Sequence, residues 1–301
     1  MPENCIICRK PLLKPSDEHI FPTAIGGSRI IRKVCIDCNN QMGTKIDTTI
    51  TEHIVVRVFR EQYNLAGQSG NVPSFFDQIA LINGDPNKPA KLHKTRNGEL
   101  QLKILPQTEQ NDEKVTITID SKDIQNLEKI KQKISTRQKS KGKKVSFTDP
   151  IISSIKQPHI VGKFPDIDLS NYKIGFLKIA YEFACDVLPQ YFEDENAKEI
   201  SKILHTCDFS KVEKYVIHSD FEITGAKYLK VFGDFKNQHT VHLLDNEYGF
   251  ICYVTIFDSI YVVIKLSKTN YCEGYKYMLY NNYVENNYWM KKFNEKGFED
   301  I

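Results

Sequence analysis

Cys5, Cys8, Cys35 and Cys38 form two Cys-x-x-Cys pairs, and this pattern constrains the first part of the chain more than any other feature does. A pair separated by two residues sits on a tight knuckle that offers both sulfurs to one ion, and four thiolates close a tetrahedral shell around zinc. An ion so enclosed stabilises a fold and does no chemistry. The 26 residues between Cys8 and Cys35 slightly exceed the usual zinc-site spacing, and the same cysteines also fit a plain zinc ribbon. The intervening residues argue for more. The segment DEHIFPTAIGG sets Glu18 beside His19, and the second pair runs directly into Asn39-Asn40. A carboxylate, an imidazole and an amide thus fall within one metal-held loop.

Those residue types suit hydrolysis of a phosphate ester. A neutral histidine titrates near working pH and can take a proton from water. A hard ion such as Mg²⁺ or Mn²⁺, held through one or two protein oxygens, polarises the phosphate and supports the leaving group. Glu18 and Asn39 offer oxygens of that hardness, whereas cysteine sulfur prefers zinc. Plainer roles exist for each residue. A lone His19 would be an ordinary surface or packed histidine, and Asn39 suits a helix cap. Gly26-Gly27 makes a turn, Pro22 sets the exit of a strand, and Asp47 reads as a solvated helix residue.

At CIIC, DEHIFPTAIGG and CIDCNNQMGTKID, in that order, residues 1–50 resemble the four-cysteine branch of the HNH endonucleases. The resemblance implies a ββα-metal, treble-clef-like module: a first strand ending near His19, a return strand near Arg29–Val34, and a helix opening at Asn39. It implies His19 as the general base, with Glu18 and Asn39 as ligands of the catalytic divalent ion. The family's middle asparagine is absent from SRIIRKV, and Glu18 stands where Asp is frequent. The loop that holds the histidine is therefore expected to be braced differently, with Asn40 or Asp47 sharing the metal.

The chain of 301 residues exceeds what such a module needs, so further domains are expected. Hydrophobic residues make up 41% and charged ones 26%, an ordinary balance for a soluble protein with a real core. The net charge of +3 excludes a general polycation, so any nucleic-acid footprint is local. No leader-like or membrane-spanning apolar run is present, and Cys185, Cys207, Cys252 and Cys272 lack metal spacing. They read as free thiols of a cytoplasmic protein without a membrane partner.

Ile46, Ile50, Ile54 and Val58, with Val55 and Phe59, predict one long helix after the zinc module, with Arg57, Arg60 and His53 mostly off its apolar stripe. QIALI, LQLKI and KVTITID predict strands. Residues 122–144 carry nine Lys or Arg, ending in STRQKSKGKK, which reads as a mobile segment. Lys139, Lys141, Lys143 and Lys144 form either an arm that holds DNA by counterion release or a solubilising linker. NYKIGFLKIAYEFACDVL and ENAKEISKIL predict helices, and HTVHLLD, GFICYVTIF and SIYVVIKLS an antiparallel meander. The aromatic-rich tail from Tyr271 to Phe293 suits a packed C-terminal helix or interface more than base stacking.

These readings give an α+β protein in four parts: 1–64 the nuclease module with its following helix, 65–121 strand-rich, 122–148 a basic linker or arm, and 149–301 an α+β domain. The KIAYEFA and AKEI helices with the hairpins resemble C-terminal parts of HNH proteins in bacterial defence settings, which implies sensing, targeting or dimerisation. The expected activity is metal-dependent DNA cleavage, with anti-phage defence or restriction as its setting. A double-strand break then needs a homodimer or two successive nicks. The competing expectations are a zinc-stabilised nucleic-acid reader without catalysis, and an enzyme silent until its C-terminal domain meets a ligand or protein.

Overall fold

PSDEH and IIRKVC pair as antiparallel strands β1 (Pro15–His19) and β2 (Ile30–Cys35). Glu18 lies opposite Ile31 and His19 opposite Ile30. Because side chains alternate across a strand, Glu18 and Ile31 turn inward while His19 and Ile30 take the other face. Helix α1 (Ile36–Lys45) follows β2 directly, opening three residues before Asn39. This β-β-α order with its cysteine cluster is an HNH-like module within an α+β protein. The computed structural model describes residues 4–74, 79–94, 99–110, 115–140, 142, 144–152, 159–162, 170–221, 236–294 and 297–300.

The single long helix expected after the module is three helices: α1, α2 (Asp47–Thr51) and α3 (Ile54–Gln62). The last break is at His53, whose backbone leaves the helical region at ψ 134°. The helical phase restarts there, so Val56 and Arg60 are buried while Val58 is exposed. Arg60, expected on a solvated face, donates to the carbonyl of Thr51 (3.0 Å) at the end of α2. It thereby satisfies a carbonyl that the helix end leaves open.

The chain divides into two units, Met1–Pro73 with Ile167–Ile301, and Ser74–Asp166. The second contains β3 (Ile79–Ile82), β4 (Pro89–Lys94), β5 (Leu100–Ile104), β6 (Gln107–Gln110), β7 (Val115–Thr118), α4 (Leu127–Lys139) and β8 (Ile160–Gly162). Its sheet runs β5-β4-β3-β8, and β6-β7 form a separate hairpin. The basic stretch expected to be mobile is helical through Lys139. The boundaries read from composition also differ: residues after 167 join the zinc module in one unit.

The reason lies in α5 (Lys173–Val187), which is buried continuously from Ile174 to Cys185. A helix apolar on every side belongs inside a core rather than on its rim. One side meets the zinc module, where Tyr181 donates to the Ile6 carbonyl (2.6 Å) and Gly175 lies against Ile50. The other packs on a seven-stranded antiparallel sheet. That sheet follows α6 (Glu195–Thr206) and comprises β9 (Val216–Phe221), β10 (Gln238–Asn246), β11 (Gly249–Ile256), β12 (Ile260–Ser267), β13 (Lys276–Asn282), β14 (Asn287–Asn294) and β15 (Gly297–Asp300), in the order β15-β14-β13-β10-β11-β12-β9. The expected meander is present as β10–β12. The aromatic tail is the β13–β14 hairpin and no helix, since Tyr, Trp and Phe suit a pleated surface and pair across it, as Tyr280 does with Trp289.

Ile174, Phe176, Leu177, Ile179 and Phe183 each bury a large side chain, worth roughly 1.5–3 kcal/mol apiece. A fragment ending at Pro73 loses that layer. It is expected to show no cooperative urea transition by circular dichroism even with zinc present, whereas the full chain unfolds cooperatively. A sharp transition in the fragment would show that the module holds its own core.

Candidate active site

The first knuckle closes where the amide of Arg9, with φ 60°, donates to the Cys5 carbonyl (2.9 Å). In the second, Cys35 is the N-cap of α1 and Cys38 lies in its first turn, where the positive helix end favours thiolates. All four sulfurs lie within 4.8 Å of one another. The Cys8 and Cys35 sulfurs are 3.9 Å apart, close to the roughly 3.8 Å edge of a tetrahedron with 2.3 Å Zn–S bonds. The residues therefore fit a closed structural zinc site. Hydrogen bonding with Cys38 draws the Cys5 thiol down to about 4, while that bond and burial push Cys38 up. His205 of α6 approaches the Cys38 sulfur with Nδ1 at 3.7 Å, joining α6 to the cluster.

His19 ends β1 half-buried. Burial first, and the Lys178 charge second, hold its imidazole below the ordinary histidine value. Asn39 donates its side-chain amide to the Asp17 carbonyl (3.1 Å), tying α1 to the strand two residues before His19. Asn39 thus lies against β1 at Asp17, whereas His19 stands at the strand end, opposite Ile30. Asn40 is exposed, and its carbonyl accepts from the Thr44 hydroxyl (3.0 Å). Among the basic residues of the expected arm, Lys139 and Lys144 are exposed in the other unit, and Lys141 and Lys143 lie outside the described residues.

Glu18 differs from expectation. Its side chain is 2% exposed, and Oε1 lies 2.6 Å from the ammonium of Lys178. The same ammonium donates to Asp47 Oδ1 (2.9 Å) and to the His19 carbonyl (3.3 Å), and Glu182 Oε2 lies 3.9 Å away. Three N–H donors therefore meet three acceptors. Burial opposes the charge on Lys178, but Asp47, Glu18 and Glu182 outweigh it and hold the group protonated. Burial also pushes Glu182 well up and raises Glu18, in both cases against the pull of Lys178. A Mg²⁺ or Mn²⁺ ion held by Glu18, with Asn39, Asn40 or Asp47, does not fit this arrangement. Mg²⁺ keeps several waters, and the Glu18 carboxylate is closed to water and already paired with a cation. Among the described residues, the four cysteines are the one group of three or more such ligands close enough to share an ion.

The loop after His19 is held from far along the chain. Asn281 of β13 accepts from the Ser28 amide (2.8 Å) and hydroxyl (3.0 Å) and donates to the Gly26 carbonyl (2.7 Å). His239 of β10 bonds the Ile25 carbonyl through Nε2 (2.8 Å) and accepts from the Phe257 amide at Nδ1 (3.0 Å). That pair of bonds fixes a neutral tautomer, and burial drives its proton affinity down to about 3. Gly26 has φ 86°, and a Cβ on Gly27 would stand 1.8 Å from the Phe21 carbonyl oxygen, so both glycines are dictated by the loop. The bracing expected to differ is thus supplied by Asn281 and His239. Sequence reading missed these residues and Lys178. Only Lys178 left a signal, as one Lys–Glu pair four apart in an otherwise apolar helix.

A β-β-α hairpin with a four-cysteine cluster, carrying a histidine at the end of its first strand, has the form of an HNH-like module. A family model described as HNH endonuclease matches residues 5–55, and the four-cysteine cluster fits the zinc-binding variant of that family. No curated protein and no solved structure matches the chain. No helix among the described residues is long and apolar enough to cross a membrane.

Two outcomes are expected. Cys38→Ser loses the one bound zinc per chain by metal analysis and lowers Tm by about 10 °C or more, at about 2–4 °C per kcal/mol for a chain of this size. The ring of His19, followed by NMR, is expected to titrate below the ordinary histidine value. A base must be neutral to act, so any His19-dependent activity persists below about pH 6.5 and is lost only at lower pH.

Proposed function

We propose that the chain is a DNA endonuclease that hydrolyses phosphodiester bonds with His19 as general base. The observation that supports this reading best is the imidazole of His19, half-buried and held neutral, at the strand end of a module matched by the HNH endonuclease family model. Nuclease action on nucleic acids is what that family suggests; DNA as the substrate is the finer proposal. In the step proposed, water gives a proton to His19 as its oxygen bonds to phosphorus. The bond from phosphorus to the 3′ oxygen then breaks, leaving a 5′ phosphate and a 3′ hydroxyl that takes its proton from solvent. Asn39, fixed beside Asp17, is the proposed contact to the substrate phosphate.

One module carries one such histidine, so a double-strand break requires two copies or two visits. A restriction or anti-phage role in the cytoplasm accompanies this reading through the resemblance of the α5–α6 segment, which packs against both the cysteine module and the seven-stranded sheet. The closure of Glu18 is the one observation that favours the alternative, a zinc-stabilised reader of nucleic acid without catalysis.

Plasmid cleavage separates the two. The zinc-loaded full chain is expected to nick supercoiled DNA, and His19→Ala to cut about 10²–10⁴-fold more slowly while keeping its zinc. Equal cutting by the variant removes His19 from the mechanism. Gel retardation without cutting by the wild type, with and without Mg²⁺, establishes the reader.

A further inference from the structure

The ammonium of Lys178 sits among oxygens from three elements: Glu18 and the His19 carbonyl on β1, Asp47 on α2, and Glu182 one turn along α5 itself. Glu18, Asp47 and the His19 carbonyl are hard oxygen acceptors, and the positive charge that meets them is delivered on a side chain. Stability alone does not account for it. Burying an ammonium with two paired carboxylates costs desolvation that the pairing at best offsets, and an apolar residue of similar volume usually serves a core as well or better. All other residues from Ile174 to Cys185 except Glu182 are uncharged, so position 178 is otherwise an apolar site. The direct bond to the backbone of His19 links the charge to the base itself.

We propose that Lys178 is the resident cation of this site: its ammonium, in place of a divalent ion, neutralises Glu18, and through Glu18 and the His19 carbonyl it positions His19. Lys178 is then a positioning residue, sealed from substrate. Glu18 is a partner of that cation and no metal ligand. The inference extends the nuclease reading by defining how its base is held, but the contacts that carry it require no cleavage.

The test uses the full-length, zinc-loaded protein and Mn²⁺ as probe, followed by the electron paramagnetic resonance signal of free Mn²⁺. Glu18→Gln is expected to leave the Mn²⁺ titration of the wild type unchanged. Lys178→Met, nearly isosteric and uncharged, is expected to keep its zinc and to leave the Mn²⁺ titration unchanged as well, because the site stays closed to water. In Lys178→Met the His19 ring is also expected to titrate higher than in the wild type, toward the ordinary histidine value, because a nearby positive charge has gone.

A tenfold or larger loss of Mn²⁺ affinity in Glu18→Gln alone, on the scale of about 1.4 kcal/mol, makes Glu18 a metal ligand and overturns the proposal. A zinc-replete Lys178→Met whose His19 titration stays put overturns it too. If Lys178→Met does not fold, the comparison of wild type with Glu18→Gln still decides. None of these readouts depends on DNA cutting, so failure of the nuclease reading would be seen separately.

Discussion

One ammonium fixes the geometry on which the rest depends. Lys178 lies where water does not reach, so each of its three N–H bonds must find a protein acceptor, and a missed one costs far more than it would at the surface. The acceptors come from β1 and α2, the donor from α5. Hydrogen bonding tolerates only a few tenths of an ångström, so hairpin, short helix and core helix share one allowed arrangement. The cysteine cluster does a different job: it brings the two knuckles together at the start of α1.

Around that centre the unit is stitched by groups that would be ordinary elsewhere. Lys33 of β2 donates to the carbonyls of Cys185 (3.1 Å) and Asp186 (2.9 Å), where the end of α5 leaves acceptors open. Arg29 pairs with the Asp186 carboxylate at 2.6 Å. Asn281 and His239 hold the Gly26–Ser28 turn and the Ile25 carbonyl from the sheet. Each bond joins the hairpin to a residue from the C-terminal part of the chain. The histidine therefore sits on a short hairpin as rigidly as if it were on a large sheet.

Local patterns in the sequence were readable because their causes are local. Cysteine spacing marks the knuckles, and short apolar runs rich in β-branched and aromatic residues mark β10–β12. The kink at His53 was hidden, because an apolar stripe continues through a break whose new phase is set by packing. The β13–β14 hairpin was hidden because aromatic residues suit several packed states. Glu18 was misjudged for a plainer reason. A sequence shows that a carboxylate stands beside a histidine, but not which side chain 160 residues later will face it. Periodicity placed Leu177 and Ala180 on one face of α5, yet the residue between them that matters most breaks the apolar pattern.

The bond from Asn281 to the Ser28 amide spans 253 residues of chain. On the ribosome, residues near the N-terminus emerge first, at about 5–20 residues per second. The knuckles can capture zinc early, but Gly26 and Ser28 lack their partner Asn281 until β13 has been translated, some tens of seconds or less later at that pace. A nascent chain therefore carries the histidine without the framework that aims it, and a truncated product would be born with a loose hairpin.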